Sequence, residues 1–212
     1  NKTTEIIFLL DRSGSMAGLE KDTIGGYNSL IEKQKKEEGK AYVTTVLFDD
    51  QYKMIYNHCS IDQVETLTSK VYYPRGMTAL LDAIGKTILN VRNNHQQLGE
   101  KEKPSTVLFV ITTDGQENAS TEFSYHDIKT LINKQKEIYD WEFLFLGANI
   151  DASKEASKFG INEDKTVNYN PDEKGVNLFY TELSKTVSSF RKNAKIDEKW
   201  NAEIQKDYIT RK

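Results

Sequence analysis

Asp11, Ser13 and Ser15 stand at alternate positions directly after the apolar run 6–10. All three side chains end in oxygen. Carboxylate and hydroxyl oxygens suit a hard divalent cation such as Mg²⁺, which takes octahedral oxygen coordination and keeps several waters. Two more oxygen-bearing residues recur downstream in matching settings. Thr78 follows the breaker-rich stretch Pro74-Arg75-Gly76-Met77, and Asp114 closes the apolar run 107–112. Singly, each has an ordinary use: a serine caps a helix, an aspartate makes a turn. Together, after two strands of the same profile, they read as a ligand set for a metal ion.

These residues need a scaffold that brings them together. The run 6–10 has no polar position, so it reads as a strand buried on both faces, as in a parallel sheet covered by helices. Open sheets of that kind bind ligands beyond the carboxyl ends of their strands. If 5–10 and 107–112 are parallel neighbours, the loops carrying Asp11 and Asp114 leave the sheet at one edge. Thr78 opens a long helix, which would set its hydroxyl at a helix N-terminus beside that edge. Gly14 and Gly76 are expected to let the backbone turn tightly around an ion.

Strands and helices alternate along the rest of the chain. Leu19, Thr23, Ile24, Tyr27, Leu30 and Ile31 predict a helix over 18–37. Strands over 41–48 and 52–56 are joined only by Asp49-Asp50-Gln51, so they form an antiparallel hairpin. A short helix is expected over 61–68 and a long one over 79–98, the latter carrying Leu81, Ile84, Ile88 and Val91. Ile128, Leu131, Ile132 and Ile138 mark the next helix; a strand over 141–146, a helix over 152–158 and a strand over 166–169 follow. Val176, Phe179, Tyr180, Leu183, Val187 and Phe190 give the cleanest helical stripe. One domain over 1–191 is expected, followed by a charged tail over 192–212. The four-residue spacing of Ile196, Trp200 and Ile204 predicts a short amphipathic helix in that tail, docked on the domain or offered to a partner.

Composition narrows the function. The net charge is -3 with basic and acidic residues interspersed, which argues against a nucleic-acid partner, since phosphate binding needs a concentrated basic face. No apolar run approaches the roughly 20 residues of a membrane helix. The single cysteine, Cys59, forms no internal disulfide. Its neighbour His58 has no further Cys or His at zinc-ligand spacing, so the pair reads as an ordinary strand segment. No signal peptide is visible, although the chain opens at Asn1 rather than Met. A cytoplasmic location is therefore expected. The sequence carries no signal of oligomeric state.

The pentad Asp11-Arg12-Ser13-Gly14-Ser15, with Gly76-Met77-Thr78, Thr113-Asp114-Gly115 and the strand and helix order over 4–191, resembles the von Willebrand factor type A domain. The resemblance implies an α/β fold: a doubly wound, mostly parallel six-stranded sheet with one antiparallel edge strand and helices on both faces. It also implies that Asp11, Ser13, Ser15, Thr78 and Asp114 form a metal-ion-dependent adhesion site for Mg²⁺ or Mn²⁺. Hydroxyls would bind the ion directly, carboxylates largely through water, and an open position would take a Glu or Asp from a protein partner. Short loops and a Lys/Glu-rich composition are in the style of a bacterial or phage-encoded member.

Other residues carry weaker expectations. Arg12 and Met16 flank the pentad, either shaping partner choice or serving as ordinary exposed loop residues. Gln116, Glu117 and Asn118 are placed to rim the site, and Asp82 to interact with the helix start. Tyr72, Tyr73 and Arg75 belong to a binding face or to packing. The alternative function is a metal-dependent hydrolase or phosphatase using Asp11. That chemistry needs a second acid two residues on, where Ser13 stands. The G-x-S-x-G and G-x-x-x-x-G-K-[ST] motifs are absent, and His58, His95 and His126 lie in no triad context. A binding module rather than an enzyme is the reading.

Overall fold

The computed structural model describes residues 2–212. Six strands form one sheet: β1 (Thr3–Asp11), β2 (Lys40–Phe48), β3 (Tyr52–Ser60), β4 (Thr106–Thr113), β5 (Glu142–Gly147) and β6 (Thr166–Asn168). Their order is β3-β2-β1-β4-β5-β6. Every pairing is parallel except that of β2 with β3, so the antiparallel strand lies at an edge. The chain moves outward from β1 on one side through β2, then returns to add β4 on the other. The switch point of this doubly wound sheet is therefore the gap between β1 and β4.

The helices are α1 (Glu20–Lys35), α2 (Leu80–Gln97), α3 (Tyr125–Tyr139), α4 (Ala152–Ser157), α5 (Glu173–Asn193) and α6 (Ala202–Thr210). β1 is buried from Thr4 to Asp11, and its alternation divides the core in two. Ile6, Phe8 and Leu10 pack with Tyr27 and Leu30 of α1 and with Phe179, Leu183 and Val187 of α5. Ile7 and Leu9 pack with Ile84 and Ile88 of α2, Ile128 and Ile132 of α3, and Ala156 of α4. The close approach of α1 and α5 requires a glycine: a Cβ at Gly26 would overlap the Tyr180 ring.

The predicted elements recur with boundaries shifted by a few residues, with three departures. Residues 61–68 form one short 3-10 turn over Ile61–Gln63 and then run on without helix. Their apolar members Ile61, Val64 and Leu67 are buried all the same, because the segment lies against the α1 face of the core. β3 runs on to Ser60 through two register shifts against β2. In the tail, the helix begins only at Ala202, so Ile196, in irregular backbone, and Trp200, in a turn, precede it.

Burial, more than helical spacing, organises that tail. Ile196, Trp200 and Ile204 all join the core beneath α5. The Trp200 indole N–H donates to the Asp164 carbonyl at 2.8 Å, and the Asn201 amide donates to the Thr166 carbonyl at 2.9 Å, fastening the segment beside β6. Arg211 returns to pair with Asp172 and Asp207. Trp200→Ala is expected to destabilise the domain by about 3–5 kcal/mol, the usual cost of emptying a buried aromatic site. Chemical denaturation measures it; an unchanged midpoint would show that the tail only covers the surface.

Candidate metal centre

β1 and β4 end side by side, with Leu10 in register with Thr112, so Asp11 and Asp114 emerge together at the switch point. Both are buried, at 1 % exposure each. The Asp11 carboxylate is fully engaged. Its Oδ1 accepts the Ser13 backbone N–H at 2.7 Å, and its Oδ2 accepts the Thr113 hydroxyl at 2.7 Å and the Asp114 N–H at 3.4 Å. The first of these bonds folds the pentad back as a tight turn, which is why Ser13 and Ser15 face the same space. Their hydroxyls lie 2.9 Å apart, and the Ser15 hydroxyl donates to Asp114 Oδ1.

Thr78 arrives from a third loop. A methyl group placed on Gly115 would lie 3.4 Å from Ser15 Oγ and 3.6 Å from Thr78 Oγ1, so both hydroxyls border the space above Gly115. The helix behind it starts at Leu80, with Ala79 as its cap, so Thr78 does not itself open α2. Its position is fixed instead by two hydrogen bonds with Asn118, one to the side chain and one to the backbone. The Thr78 N–H donates to Asn118 Oδ1 at 2.8 Å, and the Thr78 carbonyl accepts the Asn118 N–H at 3.0 Å.

The loops also hold one another. The Gly14 N–H donates to the Gly76 carbonyl at 3.0 Å, the Arg75 N–H to the Arg12 carbonyl at 2.8 Å, and the Ala79 N–H to the Asp49 carbonyl at 2.9 Å. Gly76 has φ +66°, which favours glycine; a Cβ there would also displace the exposed Asp50 carboxylate. Gly14 is different: its φ is not positive, and its space is ordinary. The tight-turn expectation therefore holds for Gly76 alone.

Several flanking residues do work that the sequence did not suggest. Arg12 is no exposed loop residue; it is buried at 3 % exposure, and its Nε donates to Asp49 Oδ2 at 2.9 Å. Met16 is likewise a core residue. Tyr72 is fully buried and donates to the Asp11 carbonyl at 2.6 Å, a packing and positioning role. Glu117 caps α2, its carboxylate accepting the Leu81 N–H at 2.9 Å. Asp82 holds a loop rather than the helix start, accepting the N–H groups of Thr121, Glu122 and Phe123 at 2.9–3.0 Å. Met77 and Tyr73 remain exposed beside the site, at 55 % and 45 %.

The electrostatics are those of a place prepared for a cation. Burial pushes the Asp11 carboxyl above its usual range, against the opposing bonds from Ser13 and Thr113. Asp114 is pushed up to about 6: burial raises it, the Ser15 hydrogen bond lowers it, and the negative charge of Asp11 raises it. Asp114 Oδ2 is buried without a hydrogen-bond partner. An unpartnered carboxylate oxygen at such depth is costly unless something positive meets it. With the hydroxyls of Ser13, Ser15 and Thr78 around it, the donor set fits a hard divalent cation.

The sequence model of the von Willebrand factor type A domain family matches residues 5–182. No curated protein sequence matches the chain. Among solved structures, the fold is similar to proximal thread matrix protein 1 from the mussel byssus with a zinc-occupied MIDAS motif, at 16 % identity and TM-score 0.60, over 88 % of this chain and 46 % of that one. It is similar to the von Willebrand factor type A protein from Catenulispora acidiphila, at 14 % identity and TM-score 0.61, over 89 % and 43 %. It is also similar to the manganese-loaded TRAP protein of Plasmodium vivax, at 18 % identity and TM-score 0.59, over 84 % and 71 %. The chain thus spans about half the length of the mussel and Catenulispora chains it matches.

The raised carboxyls give a pH dependence of known sign. The folded chain holds the Asp114 proton more tightly than the unfolded chain does. In metal-free protein Asp114 therefore contributes stability that is fully present below the ordinary carboxylate range and is lost as pH rises to about 6. Thermal melts in EDTA at about pH 5 and about pH 7.5 check this, with Asp114→Asn expected to flatten the difference.

Proposed function

The chain belongs to the von Willebrand factor type A domain family, and from that premise we propose that it is a divalent-cation-dependent protein-binding module. Asp11, Ser13, Ser15, Thr78 and Asp114 would hold Mg²⁺ or Mn²⁺. The observation that carries this reading is the buried, unpartnered Asp114 Oδ2, on a carboxylate whose other oxygen meets the Ser15 hydroxyl. The zinc-occupied and manganese-loaded relatives support it at the level of the fold.

The ion supplies a positive charge with an open coordination position. The chain's own residues decide how much of that charge a partner feels. Asp11 spends both oxygens on Ser13, Thr113 and the Asp114 N–H, and so acts by positioning the serines. Hydroxyls as direct ligands leave the ion's charge largely unneutralised. A Glu or Asp side chain from a partner protein is the natural complement. Met77 and Tyr73, exposed beside the site, offer apolar area around that contact. A phosphatase reading has less support: a nucleophile needs access, and Asp11 is 1 % exposed with both oxygens engaged.

Calorimetric titration with Mg²⁺ and Mn²⁺ tests the site. Asp11→Ala is expected to abolish binding while circular dichroism stays that of the parent, since Asp11 is the last residue of β1 and the other four residues of the site follow on loops. Parental affinity in that variant would refute the ligand assignment. Proteins captured on the immobilised chain in Mg²⁺ should be released by EDTA, and blocking their carboxylates by amidation should prevent capture. Capture indifferent to EDTA would leave the family assignment standing but remove the metal from the mechanism.

A further inference from the structure

Glu5 is fully buried in β1, a strand otherwise made of apolar residues from Ile6 to Leu10. It lies on the sheet face of Ile7 and Leu9, six residues before Asp11 and hence about 20 Å from it along the strand. A buried carboxylate is costly, and an apolar side chain would serve packing as well or better. Two histidines from distant parts of the chain meet it. His58 Nδ1, from β3, lies 3.1 Å from Glu5 Oε2, and His95 Nε2, from the last turn of α2, lies 2.6 Å from the same oxygen. The three candidate ligand atoms all lie within 4.8 Å of one another.

The surroundings are built to aim these groups. Between the pairs Val43–Cys59 and Thr45–Tyr56, β3 spends one more residue than β2, a bulge that places Thr44 opposite Asn57 and His58. At that bulge His58 has φ +50°, a left-handed conformation unfavourable for a side chain of its kind. The Thr44 hydroxyl ties the arrangement together, donating to Glu5 Oε1 at 2.9 Å and accepting the His58 N–H at 3.0 Å. Tyr42 stacks on the His58 ring at 4.1 Å, and Trp141 meets the His95 ring edge-on at 5.8 Å. Both imidazoles are thus held in place by neighbouring aromatic rings. His95 also lines a cavity of about 300 Å³ with Arg92, Gln96, Gln135 and Trp141, which provides a route from solvent.

We propose that Glu5, His58 and His95 form a second metal site, for zinc or a similar borderline transition-metal ion, separate from the oxygen-lined centre at Asp11. Two imidazoles and one carboxylate are a zinc-type ligand set, whereas hydroxyls and carboxylates suit harder ions such as Mg²⁺ or Mn²⁺. Without metal, the ring nitrogens facing Glu5 carry the hydrogens that it accepts. Metal binding requires those facing nitrogens to be free of hydrogen, by a change of tautomer in a neutral ring or by release of a proton from a charged one.

The test is titration with Zn²⁺, and with Co²⁺ read by its visible absorption, on the full chain and on Asp11→Ala, which removes the first centre. One zinc per chain is expected to survive in Asp11→Ala, and Co²⁺ to give the strong visible bands of a low-coordinate site. His95→Gln and His58→Gln, each made in the Asp11→Ala background and checked for fold by circular dichroism, should weaken zinc binding by about a hundredfold or more. Unchanged zinc affinity in either histidine variant overturns the proposal. So does a folded parent whose zinc binding vanishes entirely with Asp11→Ala, since the trio would then be a hydrogen-bonded cluster alone.

Discussion

Two carboxylates side by side in a place that water barely reaches set the terms for this molecule. Asp11 and Asp114 end adjacent parallel strands, so the fold itself forces them together. Their charges repel in a medium of low effective dielectric, and burial penalises each of them further. The fold meets part of that cost internally. Asp11 is satisfied by backbone and threonine donors, whereas Asp114 receives one serine hydroxyl and keeps one oxygen unpartnered. This asymmetry divides the labour. One carboxylate is spent on shaping the loop, and the other retains the capacity to attract a cation.

That constraint explains why so many contacts converge on three loops. Loop residues that were merely near one another would drift apart under the repulsion. Here they are joined backbone to backbone, Gly14 to Gly76, Arg75 to Arg12 and Asn118 to Thr78. The Arg12–Asp49 pair, almost wholly buried, anchors the first loop to the end of β2. Such a pair adds little net stability over apolar packing, but removing one partner strands the other charge. Its place beneath the pentad suggests that it is retained for the geometry it imposes. Tyr72, donating to the Asp11 carbonyl, and Glu117, capping α2, fix the second and third loops in the same way.

How much of this the sequence disclosed depended on the range of the interaction. An unbroken apolar run ending in Asp is a local pattern, and it disclosed both the buried parallel strands and the edge at which the five oxygen-bearing residues meet. The hairpin at Asp49-Asp50-Gln51 and the stripe of α5 were legible for the same reason. Residues 61–68 were misread because burial of Ile61, Val64 and Leu67 against α1 does not require a helix, though their spacing imitates one. Arg12 and Met16 were misplaced because nothing in a pentad reveals that its arginine finds Asp49 at the end of another strand. Glu5, His58 and His95 lie far apart in the chain, and only the bulge in β3 turns His58 toward the other two. The available signal was the acid inside an apolar strand, which no surface position would explain.

β1 therefore carries a buried carboxylate at each end, and the two ends differ in chemical character. At its carboxyl end, Asp11 is held by backbone N–H groups and the Thr113 hydroxyl, beside the hard oxygen atoms of Ser13, Ser15 and Asp114. Near its amino end, burial would raise the Glu5 carboxyl, but the hydrogen bonds and charges of His58 and His95 outweigh it and hold the group down at about 2. Glu5 stays ionised where Asp114 tends to take up a proton, because one has two imidazoles facing it and the other faces a second acid. A single strand can hold both environments because the sheet insulates them: five apolar residues and the helices on either face separate the two carboxylates. Charge at one end is then weakly felt at the other, so the partner-facing edge and the His–Glu cluster are free to respond to different ions.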